Sequence, residues 1–236
     1  AGGLPDTIAR LVGKRLQEKV GQSVVVENKP GGNGSVSVAA LMALPADGYS
    51  FIVQDGSIYA INPHIYAKMS YNPEKDFVPV TNVVSGPQVL VVPANSPYKS
   101  VKDVIEAAKA QPGKLTFGHA GIGSQTHLAG ENFVNASKID VIAVPYKGEG
   151  PALTGLVGGD TSFAVTNVAA SIGHINSGRL RALGVTSKAE FPLLPGIAPI
   201  AKTLPGFENT GWFGIVAPTG TPKEIIDKVY QDTKKA

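Results

Sequence analysis

The chain has 236 residues, which is enough for one large domain or for two domains of about 100–150 residues each. Apolar residues make up 43% and charged residues 17%, a composition that excludes a disordered chain and predicts a globular protein with a substantial core. The net charge is +3 without a block of Lys or Arg, and cysteine is absent, so the composition favours small anions over nucleic acid and excludes disulfides, thiol catalysis and Cys-ligated metals.

The chain opens on a segment that is typical of the loop leading into a helix, residues 1–6. No strand stands before this loop, and no signal-peptide pattern is present. We therefore expect a leading strand, and any signal peptide before it, to have been removed. No apolar run reaches the ~18 residues that a membrane-spanning helix needs.

Strands and helices alternate along the chain. The spacing of Ile8, Leu11, Val12 and Leu16 predicts a first helix that stops at Gly21. Short β-branched runs predict strands at residues 23–27, 49–54, 78–84, 88–92, 115–118, 141–144, 162–165 and 181–185. Further helices are predicted at about residues 35–44, 58–66, 101–110, 125–136, 151–157 and 168–176. The alternation favours an α/β fold with largely parallel sheets, both faces covered.

The most informative loop lies in residues 117–130, which run from a strand end through glycines into a helix. Glycines such as Gly123 let backbone N–H groups approach a guest closely. The side chains of Ser124, Gln125 and Thr126 add donors where a helix N-terminus favours an anion. His127 is predicted to orient this loop rather than to touch a ligand.

Similar junctions recur at other predicted strand ends, where ligands bind in α/β sheets. At the start of the chain, Gly3 and Leu4 offer backbone donors, whereas Asp6 either caps the helix or lies beside a ligand. Further along, Gly56, Ser57 and Ile58 present amides and a hydroxyl.

Four other residues, in three segments, also bear on the site. Tyr59 is slightly more typical of core packing than of packing against a ligand. Lys147, after Tyr146, could face an acid but is more typical of a solvated cation. Thr166 and Asn167 end an apolar strand as a polar pair, although Asn167 could simply cap the next helix.

Patterns for catalysis or metal binding are weak. The G-x-S-x-G nucleophile motif is absent, and the four histidines show no paired metal-ligand spacing. We predict no metal, no cofactor and no catalytic residues. Residues 88–109 and 212–231 share one pattern: an apolar strand, a proline-bearing turn and an amphipathic helix. Two such strands could form a double hinge, or the similarity could arise by chance.

Several short segments are together characteristic of one family. The chain resembles the substrate-binding proteins of tripartite tricarboxylate transporters, the Bug receptor family. The matching segments run in family order across essentially the whole chain: GGLPDTIAR (2–10), VVVENKPG (24–31), ADGY (46–49), AINP (60–63), KDF (75–77), GS and THLAGE (123–124 and 126–131), VPYKG (144–148) and WFG (212–214).

The resemblance implies a two-lobed, type II periplasmic-binding-protein-like α/β fold with the ligand cleft between the lobes. The first lobe would hold residues 1–98 and 211–236, and the second residues 99–210. The two similar strands would then be the hinge. Typical members also have a strand before Gly2 and a helix and strand after Ala236.

The resemblance also implies a periplasmic, monomeric receptor without enzyme activity. It would capture a small organic acid by cleft closure and deliver it to a tripartite tricarboxylate-type membrane transporter. The resemblance implies ligand contacts from the loops described above and from His119 and Tyr146. In chain order these contact residues are Gly3, Leu4, Asp6, Gly56, Ser57, Ile58, Tyr59, His119, Gly123, Ser124, Gln125, Thr126, Tyr146, Thr166 and Asn167.

Two departures from the family pattern bear on the ligand. Many members have Asp where this chain has Thr166, and the loss of that charge favours a more anionic or differently oriented ligand. His119 and Ile122 stand where small or polar residues are common, which favours an apolar ligand body. A di- or tricarboxylate, including an aromatic one such as terephthalate, is the ligand expected. Two alternatives stay open: a sensing receptor for a signalling system, and an α/β enzyme acting on a carboxylic acid.

Overall fold

The computed structural model describes residues 2–234, and their contacts divide the chain into two units. The first unit holds the residues as far as Ser85 and those from Trp212 onward, and the second is Gly86–Gly211. The chain therefore passes between the units twice, and both passages lie within β-strands.

The elements confirm the predicted alternation of strands and helices. In chain order they are α1 (Leu4–Val20), α2 (Ser35–Met42), β1 (Ile52–Asp55), α3 (Ser57–Ala60), α4 (Asn62–Ile65), α5 (Pro73–Asp76), β2 (Phe77–Pro93), α6 (Val101–Ala110), β3 (Thr116–His119), α7 (Gln125–Ser137), β4 (Ile142–Pro145), α8 (Glu149–Gly158), β5 (Ala164–Asn167), α9 (Val168–Asn176), β6 (Leu180–Val185), β7 (Thr210–Pro218) and α10 (Lys223–Lys234). Within residues 2–234, no helix is both long enough and apolar enough to cross a membrane.

Helix α1 forms and ends as predicted, although Leu11, one of the apolar residues behind the prediction, is 65% exposed. Pro5 lies in its first turn, where the missing N–H leaves no hydrogen bond unmade. Ile8 and Val12 are buried on one face. Gly21 ends the helix in the left-handed conformation, at φ 67°, and its N–H bonds back to Gln17 O.

The first unit packs its core between α2 and the pair β1–β7. Strands β1 and β7 are antiparallel, with Ile52 opposite Val216. Val38 and Ile58 are fully buried against this pair. The core therefore fixes the loop between β1 and α3, because Ile58 follows that loop directly.

Two predictions in the first unit are wrong. Residues 23–27 form no strand, and Val25 is 79% exposed. A strand needs a neighbour for its backbone ladder, and among the described residues no strand pairs with this segment. The single helix predicted at residues 58–66 is instead α3 followed by α4, because Pro63 lies in the first turn of α4 and cannot donate a hydrogen bond back to α3.

The prediction of largely parallel sheets is also wrong. Strands β3 and β4 are parallel, but β2 pairs antiparallel with both β5 and β6. The two runs predicted near residues 78–92 form the single strand β2. Residues 86–98, assigned from sequence to the first lobe, group with the second unit because the last part of β2 pairs there.

The second unit is held by a cluster of aromatic rings below β3 and β5. Phe133 from α7 packs edge-on against Phe163 and against Phe207, with ring centres 5.8 and 6.2 Å away. Phe117 stacks on Phe163 at 5.8 Å. Phe117, Phe133 and Phe163 are at most 1% exposed. This core anchors the helix whose first turn follows the glycine-rich loop.

Candidate functional site

In the second unit, the hydroxyl groups at the start of α7 fasten the loop that precedes it. Ser124 is the N-cap residue, and its Oγ accepts a hydrogen bond from His127 N at 3.2 Å. Thr126 Oγ1 accepts one from Ala120 N at 2.9 Å and lies 3.1 Å from Ser124 Oγ. Gln125 is also buried. Gly121 and Gly123 have positive φ angles of 126° and 81°, which require glycine.

Two imidazoles accept hydrogen bonds from the backbone of this loop. The rings of His119 and His127 lie 4.3 Å apart. Each Nδ1 accepts a backbone hydrogen bond, His119 from Gly121 N at 3.3 Å and His127 from Gly123 N at 3.2 Å. His127 thus orients the loop, as predicted.

Both imidazoles resist protonation. Burial, and then the neighbouring His127, lower the pKa of His119 from 6.5 to about 4. Burial also lowers the pKa of His127, against the opposing effect of Glu131. The proton-free Nδ1 atoms are therefore maintained near neutral pH, and the loop keeps both acceptors.

Acid should therefore destabilise the second unit. His119 becomes protonated below pH 6.5 in the unfolded chain but only below about pH 4 in the folded chain. The free energy of unfolding therefore falls as the pH falls through this window. The expected loss at pH 4 is roughly 3 kcal/mol. Denaturant unfolding from pH 7.5 to 4 would measure it, and His119→Asn, which keeps an acceptor, should flatten the slope. Equal slopes in both proteins would contradict this assignment.

The polar pair that ends β5 is joined to an acid from α8. The Oε1 of Glu149 accepts hydrogen bonds from Thr166 Oγ1 at 2.6 Å, Asn167 N at 2.8 Å and Asn167 Nδ2 at 2.9 Å. Asn167 stands at the N-cap of α9, but its side chain makes no capping bond. The alternative that Asn167 simply caps α9 is therefore wrong, because its side-chain amide donates to Glu149 instead.

Tyr146 lies between these two groups of residues along the chain. Its backbone N–H donates to His119 O at 2.9 Å. Its ring lies over Gly155 of α8, where an added Cβ would come within 2.8 Å of Tyr146 Cζ. A cavity of about the size of one water molecule is lined by residues of this unit that include His119, Thr126, Glu149 and Thr166.

In the first unit, Asp6 ties the start of α1 to its surroundings. Its Oδ2 accepts from Gly2 N at 2.9 Å, and its Oδ1 accepts from Asn28 Nδ2 at 2.8 Å and lies 3.0 Å from Arg10 Nε. The Gly2 hydrogen bond is the largest of the effects that lower the pKa of Asp6. Asp6 does not cap α1, because Gly3 is the N-cap residue and makes no side-chain cap. Leu4 is buried at 7% exposure.

The second loop of the first unit is packed against an indole. Gly56 N donates to Trp212 O at 3.2 Å. An added Cβ on Gly56 would come within 2.7 Å of Trp212 Nε1. Ser57 donates from its N at 3.0 Å to Asp55 Oδ1 and from its Oγ to the same oxygen. This glycine therefore permits the close approach that places Ser57.

Tyr59 packs in the core, the interpretation slightly favoured from sequence. Its ring lies 5.6 Å from Phe77 and 6.5 Å from Trp212. Burial raises the pKa of its hydroxyl. The ring packs against the same apolar cluster as Ile58, which is fully buried.

The structure thus gathers the predicted residues in two sets, one in each unit. The first set is Gly3, Leu4 and Asp6 with Gly56, Ser57, Ile58 and Tyr59, and the second is His119, Gly123, Ser124, Gln125, Thr126, Tyr146, Thr166 and Asn167. Sequence reasoning missed Asn28, Trp212 and Glu149. An acid in the first turn of a helix usually indicates only a favourable charge, so the pattern around Glu149 gave no sign of its burial. Among residues 2–234, no group of three His, Cys, Asp or Glu could hold a metal ion.

Comparison with known proteins gives concordant results. The profile of the tripartite tricarboxylate transporter family receptor matches residues 8–236. BugT of Bordetella pertussis is 35% identical over 229 residues, which cover 95% of this chain and 70% of BugT. An R. palustris protein solved with adipate is 37% identical with a TM-score of 0.96, covering 99% of this chain and 78% of that one. MatC of Rhodopseudomonas palustris with bound malate is 27% identical with a TM-score of 0.92, covering 100% and 80%.

Proposed function

Because the chain belongs to the tripartite tricarboxylate transporter receptor family and has its α/β periplasmic-binding-protein-like fold, we propose that it is a periplasmic receptor for a small organic acid. The observation that carries this proposal is the fastened loop before α7. Neutral imidazoles accept the glycine amides of this loop and hold it in place, so that a capping hydroxyl and the N-terminus of α7 meet there. Such a group suits an anion that arrives without a metal.

We place one ligand carboxylate at the start of α1. Gly3 caps this helix without a side chain, and Asp6 is occupied by its own partners. The loop at Gly56 and Ser57 would support the same end of the ligand. Ser124, Thr126 and Asn167 would then reach the other end when the cleft closes. Each charge-assisted hydrogen bond to the carboxylate at α1 would contribute roughly 1.5–3 kcal/mol.

Closure would use the two strands that pass between the units, β2 and β7. A ligand can drive such a change only through contacts that the open form lacks. The neighbours solved with adipate and malate support a carboxylic acid as ligand. The receptor would act as a monomer, without catalysis, and would deliver its ligand to a membrane transporter of the tripartite type.

Thermal unfolding tests the proposal. The protein is heated with a panel of aliphatic, hydroxy, amino and aromatic mono-, di- and tricarboxylates. An acid at 100-fold over its dissociation constant should add about 2.7 kcal/mol, or roughly 5–10 °C for a chain of this size. A shift with a subset of the panel is the expected result. A panel without any shift would contradict the proposed function.

A further inference from the structure

The carboxylate of Glu149 occupies the donors that the second unit would offer to a ligand. Glu149 is the first residue of α8 and is 7% exposed. Its Oε1 accepts hydrogen bonds from the hydroxyl of Thr166 and from both nitrogen donors of Asn167, at 2.6–2.9 Å. These are the last two residues of β5. The chain thus places its own carboxylate at the strand end where an external one was expected.

The burial of Glu149 is more than the start of a helix requires. A glutamate in the first turn stabilises the helix from the solvent side, without losing its hydration. Here the side chain turns inward and lines the same small cavity as His119 and Thr126. A buried carboxylate must be compensated by hydrogen bonds, and Thr166 and Asn167 supply them. Burying this carboxylate costs free energy, which is understandable if its charge acts on the ligand.

We propose that Glu149 is a specificity-determining residue, which selects acids whose far end donates hydrogen bonds and disfavours a second carboxylate there. The inference rests on the proposed function, because it takes the end of β5, at Thr166 and Asn167, as the place of the ligand's far end. Two carboxylates that face the same hydrogen-bond donors repel each other strongly in a partly buried site. A hydroxyl, an amide or an ammonium group would instead be attracted by the Glu149 carboxylate.

Matched ligands test this choice in the wild-type protein. Titration calorimetry would compare each dicarboxylate with its half-amide: succinate with succinamate, adipate with adipamate, and terephthalate with its monoamide. For adipate the series adds 6-hydroxyhexanoate and 6-aminohexanoate. We expect the tightest-binding pair to favour the half-amide by roughly tenfold or more. A preference for the dicarboxylate would overturn the proposal.

A variant separates charge from shape. Glu149→Gln keeps a carbonyl oxygen that can accept from Thr166 and Asn167, and it should shift the preference at least about tenfold toward the dicarboxylate. Glu106→Gln is the control, because it removes an exposed charge on α6 that pairs with Lys102. It should leave the preference unchanged.

The outcomes distinguish the two proposals. If the wild-type protein binds acids of the panel but Glu149→Gln leaves the preference unchanged, the role of Glu149 is wrong and the receptor function stands. If neither protein binds any acid, the receptor function itself is wrong, and the inference about Glu149 falls with it. If Glu149→Gln does not fold, the wild-type comparison of dicarboxylate with half-amide decides.

Discussion

Replacing Phe133 by Ala should lower the free energy of unfolding by about 3–5 kcal/mol. The side chain is fully buried and joins α7 to the rings of Phe163 and Phe207. Truncation removes the apolar contacts of one ring and leaves a cavity between the rings of Phe163 and Phe207. Denaturant unfolding followed by far-ultraviolet circular dichroism would measure the loss.

The control for this substitution is Leu193→Ala. Leu193 is 60% exposed, so its truncation should change the free energy of unfolding by less than about 0.5 kcal/mol. Because α7 starts at the glycine-rich loop, Phe133→Ala should also weaken acid binding at temperatures where the protein is still folded. A loss of stability below about 1 kcal/mol would show that this cluster does not anchor the helix.

Replacing Gly56 by Ala should weaken acid binding about tenfold or more and lower stability by about 1–3 kcal/mol. The backbone at Gly56 has φ −62° and ψ −9°, a conformation that alanine adopts freely. The effect is therefore steric, because the added Cβ would come within 2.7 Å of Trp212 Nε1. The indole or the loop must move, and Ser57 moves with the loop. Titration of an acid from the unfolding panel would measure the loss.

Gly173→Ala is the matched control for that substitution. Gly173 lies within α9, and an added Cβ there would meet no atom within 4 Å. Alanine in a helix interior should stabilise the protein by up to about 1 kcal/mol and leave acid binding unchanged. If Gly56→Ala binds acids as tightly as Gly173→Ala does, the loop after β1 is not part of the site.

Local signals explain which elements could be predicted from the sequence. The helix α6 was predicted with its observed bounds, since Ser100 and Asp103 form a reciprocal cap at its start and mark the boundary. The predicted repeat of strand, proline-bearing turn and helix is confirmed by β2 with α6 and by β7 with α10. Each of these features is set by residues close together in the chain.

The features that failed depend on distant partners. Residues 23–27 have the composition of a strand, but a strand forms only where a neighbouring backbone accepts it. The antiparallel pairing of β2 with β5 and β6 likewise joins residues far apart in the chain, and periodicity does not encode it. The contact of Glu149 with Thr166 and Asn167 joins residues 17 and 18 positions apart on different elements. Local patterns therefore indicated the loops of the proposed site but not the carboxylate of Glu149 beside Thr166 and Asn167.

We propose that residues of both units hold one organic acid. Titration calorimetry tests this proposal with the acid that stabilises the protein most in the unfolding panel. The wild-type protein, Gly56→Ala in the first unit and Thr126→Val in the second would be compared. We predict one acid bound per chain and weaker binding in both variants. Binding that is weakened by only one of the two substitutions, or by neither, would contradict the claim.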